Sequence, residues 1–157
     1  MLKLNFIKAG IDYIEILVEL RIEFIKDIHP EYNNDLINKI HNSTIKYFKD
    51  LFDNNAYIGF LGFTTDNKIA CTAGLLIYFL PPLNTASYRK IGHILNFYTK
   101  PEYRRKGYGM QLMDFIKVEA KKDGINRLVL NATEMGFSLY KKAGFIESED
   151  KAMILNL

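Results

Sequence analysis

From Leu4 to Lys8 apolar and polar residues alternate, the period of a half-buried strand, and Gly10 ends it. The period then lengthens. Ile14, Leu17, Val18, Arg21, Phe24, Ile25 and Ile28 recur at helical spacing, which predicts a helix with Asp12 as its N-cap and His29-Pro30 as its stop. A second helix is predicted from about Asn34, with Ile37, Ile40, Thr44, Tyr47, Phe48 and Leu51 on one face. After Asp53-Asn54-Asn55 the period shortens again. Ala56–Thr64 and Ile69–Leu80 read as strands joined by the turn Thr65-Asp66-Asn67-Lys68, a hairpin. Pro81 to Lys90 is the long irregular segment, and Ile91–Thr99 is a further strand closed by Lys100-Pro101.

Beyond it lies a basic, glycine-containing turn, Arg104-Arg105-Lys106-Gly107-Tyr108-Gly109. A long helix over Gly107–Asp123 follows, turning Leu112, Met113, Ile116 and Ala120 inward and ending at Asp123-Gly124. Arg127–Ala132 reads as a strand, Met135–Ala143 as a short helix with Gly144 as C-cap, and Met153–Leu157 as a terminal strand. The order β, α, α, β, β, β, α, β, α, β predicts an α/β (α+β) chain, with a hairpin-rich first half and a βαβ unit in the second.

Composition narrows this picture. At 157 residues the chain reads as one domain, 1–157, and 48% apolar against 25% charged residues is enough for a core without metal or disulfide staples. A net charge of +3 is too small to mark a nucleic-acid binder, and basic residues are not interleaved with aromatics. The single cysteine, Cys71, excludes an intramolecular disulfide and any multi-cysteine metal site, and its strand neighbours make it a core residue rather than a nucleophile. The longest apolar stretch, Cys71 to Pro82, falls short of the ~20 residues that span a bilayer. A cytoplasmic protein without metal, membrane or nucleic-acid partners is the expectation. Phe60, Phe63, Tyr78 and Phe79 read as sheet packing.

The turn before the long helix carries the most chemistry. A glycine-bearing turn feeding a helix N-terminus presents unpaired backbone N–H groups at a positive dipole end, a geometry that binds phosphate oxygens. Gly107 and Gly109 allow close approach, and Arg104, Arg105 and Lys106 add charge. Other phosphate loops fit poorly. The chain has no Gly-x4-Gly-Lys-Ser/Thr, and Leu112 stands where a dinucleotide fingerprint starting at Gly107 needs its third glycine.

Pro101-Glu102-Tyr103-Arg104-Arg105-Lys106-Gly107-Tyr108-Gly109 resembles the acetyl-coenzyme A loop of the GNAT superfamily of N-acetyltransferases, Gln/Arg-x-x-Gly-x-Gly/Ala. A second match lies downstream: Leu128-Val129-Leu130-Asn131-Ala132-Thr133, then Leu139-Tyr140-Lys141-Lys142-Ala143-Gly144-Phe145, is similar to that family's later strand and its Leu-Tyr-x-x-x-Gly-Phe helix end. With the two N-terminal helices the resemblance spans essentially the whole chain. It implies a single domain whose mixed, largely antiparallel sheet has helices on both faces and is splayed at a cofactor slot.

The resemblance also implies roles. The pyrophosphate of acetyl-coenzyme A would lie over the amides from Arg105 to Gly109, with Arg104 at the pattern's first position. The pantetheine arm would bond the backbone of Phe97, Tyr98 and Thr99 as an added strand does. Many members carry Asn where this chain has Thr133, so Asn131 or Thr133 takes that contact. Tyr140 matches the general acid. His93 stands about where many members place a Glu base, and an ordered-water relay is the alternative. The implied reaction is direct acetyl transfer to a primary amine of a small molecule or peptide within a ternary complex. A non-catalytic acetyl-coenzyme A sensor is the rival, and the resemblance leaves room for a homodimer. Acceptor recognition would fall to Glu23, Asp27, His29, Glu31 and Tyr32 and to Pro81–Lys90 with Tyr88, where carboxylates would attract a cationic amine.

Overall fold

The structure is a computed structural model that describes residues 3–83, 89–149 and 152–157. In chain order it comprises β1 (Asn5–Ala9), α1 (Ile14–Ile28), α2 (Asn34–Asp53), β2 (Tyr57–Phe63), β3 (Ile69–Leu80), β4 (Arg89–Thr99), α3 (Tyr108–Lys122), β5 (Arg127–Val129) and α4 (Glu134–Lys142). The strands form one sheet in the order β1-β2-β3-β4-β5. The first four pair antiparallel, while β5 runs parallel to β4. A parallel neighbour needs a crossover, and α3 supplies it.

Both faces of the sheet are covered, which is why β2 and β3 are apolar nearly throughout. Successive strand side chains point to opposite faces. On β2, Phe60 packs with Leu112, Met113 and Ile116 of α3, while its neighbour Leu61 packs with Leu17 and Val18 of α1 and Phe48 of α2. Burying each such side chain contributes roughly 1.5–3 kcal/mol.

Four local expectations are corrected. Asp12 does not cap α1: it sits in a 3-10 turn, Ile11–Tyr13, and α1 starts after Tyr13 with no side-chain cap. Phe79, expected as sheet packing, is exposed near the end of β3. The strand expected over Arg127–Ala132 stops at Val129, because β4 diverges from it there. Met153–Leu157 is not a strand; its apolar side chains are exposed, and among the described residues no strand pairs with it to satisfy an extended backbone.

The divergence of β4 has a local cause. Thr72 pairs with Tyr98 and Gly74 with Leu95, so two residues of β4, Asn96 and Phe97, stand opposite Ala73 alone. This is a β-bulge, and Asn96 takes its left-handed conformation at φ 53°. Asn tolerates that region better than most side chains. Its amide donates to the buried hydroxyl of Tyr57 at 3.4 Å. A Cβ on Gly74 would overlap the Tyr57 ring and hydroxyl, so glycine is what lets this ring reach the bulge. Gly74→Ala is therefore expected to destabilise the fold by roughly 1–3 kcal/mol through overpacking. Thermal unfolding checks this; an unchanged midpoint would show that the Tyr57 ring moves aside freely.

Candidate active site

After β4 the chain makes a 3-10 turn, Pro101–Tyr103, and then bends through Arg105 (φ 59°) and Gly107 (φ 78°), both left-handed. Glycine adopts that conformation without steric cost, whereas a residue such as Arg105 held there costs on the order of 1–3 kcal/mol. The result aims the loop backbone at the start of α3. The Gln111 N–H bonds the Gly107 carbonyl at 3.2 Å, so the amides of Tyr108, Gly109 and Met110 lie ahead of the first helical bond. They are the donors such a turn offers to an anion.

The three basic residues of the turn are not equivalent. Arg104 folds back: its Nε donates to the Thr99 carbonyl at 2.9 Å, its terminal nitrogen pairs with Asp27 of α1, and the guanidinium lies 5.6 Å from the Tyr98 ring centre. That charge is neutralised inside the fold. Arg105 and Lys106 are exposed, with the Lys106 ammonium 5.4 Å over the Tyr103 ring. Glu23 is engaged in the same way, pairing with Lys100 at 2.9 Å. The carboxylates expected to greet a cationic amine instead tie α1 to the end of β4.

The β4–β5 pairing ends at His93 opposite Val129, so Leu95 to Thr99 have no strand partner on that edge among the described residues. This is the splayed slot. Three elements converge on it. A Cβ added to Gly109 would lie 2.8 Å from Leu139 Cδ1 of α4, 3.6 Å from Phe97 Cε1 and 3.8 Å from Thr99 Oγ1 of β4. Tyr140 reaches across from α4, its ring edge-on to Phe97 at 5.8 Å. The end of α4 fixes that ring. Gly144 (φ 96°) lets Phe145 N–H bond the Tyr140 carbonyl at 3.0 Å and Gly144 N–H bond the Lys141 carbonyl at 3.1 Å. This double closure brings Phe145 back against Tyr140, ring centres 6.0 Å apart. The spacing Leu-Tyr-x-x-x-Gly-Phe is thus a device for presenting one phenol. Burial pushes that phenol's pKa up.

Tyr98 and Tyr108 are buried, Tyr98 against Phe24 of α1, so each offers the slot its backbone only. Asn131 and Thr133 are exposed, and the Thr133 hydroxyl caps α4 by accepting from Gly136 N–H at 3.3 Å. His93 is half-buried, which lowers its pKa, and strand alternation places it on the Leu95 side of the sheet. Glu31 and Tyr32 are both occupied by His29, the first at 3.0 Å and the second by ring stacking at 4.5 Å. Tyr88 and the loop residues 84–88 lie outside the described residues. Cys71 is buried in the core, its thiol pushed up to about 12 by desolvation, and it takes no part in the site.

One feature was not legible beforehand: a cleft of about 490 Å³ between α1, α2 and β4, lined by Arg21, Lys39, Tyr47, Leu95 and Asn96 among others. It opens onto the bulge from the helical side. Among the described residues no helix is long and apolar enough to cross a membrane, and no group of three or more His, Cys, Asp or Glu could hold a metal ion.

This geometry has known counterparts. The 1.9 Å crystal structure of a predicted acetyltransferase with acetyl-CoA from Clostridium acetobutylicum superposes with a TM-score of 0.82, at 29% identity over 97% of this chain and 96% of that one. A GCN5-related N-acetyltransferase from Ralstonia eutropha shares the fold with a TM-score of 0.77, at 22% identity over 97% and 98% of the two chains. No curated protein matches the sequence. The Acetyltransferase (GNAT) family matches residues 14–145. That match takes in the bulged strand, the glycine turn and the last helix, and the chain belongs to the GNAT acetyltransferases.

Proposed function

We propose that this protein transfers the acetyl group of acetyl-coenzyme A to a primary amine of a small molecule or peptide, directly and within a ternary complex. The observation that carries the reading is the slot, open along Leu95–Thr99, with Gly109 in its wall and the Tyr140 ring standing across it. The residues fit the cosubstrate. The amides from Arg105 to Gly109, helped by Arg105 and Lys106, would hold the pyrophosphate, and Arg104 shapes the turn through Thr99 and Asp27. The backbone of Phe97, Tyr98 and Thr99 would take the pantetheine arm, with Asn131 beside it. Bound there, acetyl-coenzyme A supplies an acetyl thioester.

In the transfer a nitrogen–carbon bond forms and the sulfur–carbon bond breaks. The proton lost by the amine goes to His93, and Tyr140 gives its proton to the departing thiolate. Burial supports both assignments. It lowers the pKa of His93, which is therefore neutral and receptive at pH 7. It raises that of Tyr140, which stays protonated across the neutral range. A phenol near 10 is nominally weaker than a thiol near 8.5 by about 2 kcal/mol, but a thiolate in the same apolar slot is raised by the same desolvation. The gap therefore does not widen on burial. A cytoplasmic setting suits the one buried free thiol.

Thiol release from acetyl-coenzyme A across a panel of primary amines tests the reading, and release with at least one amine is expected. Silence with every amine alongside tight cosubstrate binding would make the protein a sensor. With a weakly basic amine whose own pKa lies well below 5, and which is therefore already neutral above pH 5, kcat/KM should rise as His93 deprotonates below pH ~6.5 and be flat from pH 7 to 9. A flat profile between pH 5 and 7 would replace His93 with a water relay.

A further inference from the structure

The cleft on the helical side of β4 differs in charge from what the sequence led one to expect. Its lining includes Arg21 and Lys39 and no Asp or Glu. Arg21 stands on the inward, apolar face of α1, half-buried, its guanidinium 5.5 Å from the Phe24 ring centre. Among the described residues it pairs with no carboxylate. The nearest groups that respond to its charge are the hydroxyls of Tyr47 and Tyr57, both neutral at physiological pH. Other cations that join separate elements of the fold do meet acids: Lys8 with Asp123, Lys100 with Glu23 and Arg104 with Asp27. The remaining α1 acid that neighbours α2, Glu19, is taken by His41 at 3.1 Å. A partly desolvated arginine without an acid is costly unless a ligand supplies one.

We propose that the acceptor amine also carries an acidic group, a carboxylate or a phosphate, which Arg21 binds in this cleft while Lys39 attracts it at the mouth. This rests on the reading of the chain as an amine acetyltransferase. The guanidinium fork matches both anions with two parallel N–H donors, which an ammonium cannot do. Leu95 and Asn96 line the cleft at the bulge, just beyond the last β4–β5 pair at His93. An acceptor held at its acid end by Arg21 points its amine toward that opening. The selection is by charge and reach: amines lacking the acid, and diamines above all, meet two cations and no counter-charge.

Four size-matched probes test this: propylamine, 1,3-diaminopropane, β-alanine and O-phosphoethanolamine. Each is measured for kcat/KM by thiol release and, separately, for binding to the coenzyme A complex by calorimetry. β-Alanine or phosphoethanolamine is expected to exceed propylamine at least tenfold in both, and which of them leads tells carboxylate from phosphate. Arg21→Gln should cut that anionic preference ten- to a hundredfold through KM, and Arg21→Lys should retain part of it. Equal use of neutral and acidic amines overturns the proposal while leaving acetyl transfer intact, as does a preference unchanged in Arg21→Gln. Arg21-dependent binding of an acidic amine without any thiol release upholds the cleft assignment and overturns the transfer reading instead.

Discussion

Gly109→Glu is expected to weaken acetyl-coenzyme A binding at least a hundredfold, about 2.7 kcal/mol, while leaving the fold in place. Gly109 is not in the left-handed region, so any side chain is tolerated by its backbone. The first atom a Cβ meets is Leu139 Cδ1 at 2.8 Å, the far end of a flexible side chain that can swing aside. What a longer side chain cannot do is leave the slot open, because Phe97 and Thr99 wall the other side at 3.6 and 3.8 Å. A carboxylate there also competes for the amides ahead of the first helical bond and repels a pyrophosphate. Gly109→Ala separates the two effects: it keeps the charge and should lose much less affinity. Calorimetry with acetyl-coenzyme A, with unfolding midpoints as the fold control, decides it. Equal affinity for Gly109→Glu and the parent would mean that the phosphates bind elsewhere.

How much of this was legible in the sequence depended on whether a feature is local. The phosphate turn and the end of α4 are local: a left-handed Gly107 before a helix, and a left-handed Gly144 five residues after Leu139, are written in residue types at fixed spacing. Both helices of the first half were legible from their periodicity too, and Arg21 already stood in the inward stripe of α1. Its meaning did not, because that depends on Tyr47, Tyr57 and Asn96, which the fold brings to it from α2, β2 and β4. The bulge was hidden for a similar reason. Asn96 continues a run of strand-like residues, and only its pairing with β3 shows that it is surplus. The terminal stretch Met153–Leu157 failed in the opposite direction, since apolar residues specify a strand only where a neighbour offers a ladder. Charge was the least legible of all. Glu23 and Asp27 looked like solvent-facing attractants, yet cations more than seventy positions away, Lys100 and Arg104, neutralise them. Helix α1 would therefore serve both proposed substrates: its acids brace the turn that would hold the phosphates, and its inward cation lines the cleft proposed for the acceptor.

Tyr140→Phe is expected to lower the single-turnover acetylation rate by 10²–10⁴-fold, roughly 3–5 kcal/mol of barrier, with the KM for acetyl-coenzyme A little changed. The substitution removes one oxygen and keeps the ring. The edge-on contacts to Phe97 at 5.8 Å and Phe145 at 6.0 Å belong to the ring, and so do the apolar neighbours that bury it. Among the described residues the hydroxyl accepts and donates no hydrogen bond, so the fold loses nothing when it goes. Stability should stay within about 0.5 kcal/mol of the parent. A tyrosine kept only for packing predicts a different pair of numbers, a near-normal rate with the same stability. The two readings therefore separate on rate alone, provided that chemistry and not product release is measured, which is why single-turnover kinetics on the best amine are required. The acid's signature should also depend on the leaving group. An acetyl thioester of a more acidic thiol needs less help on departure, so the deficit of Tyr140→Phe should shrink as the thiol's pKa falls. A mutant within about threefold of the parent rate on acetyl-coenzyme A, or a deficit indifferent to the thiol, would take Tyr140 out of the mechanism and leave protonation of the thiolate to water.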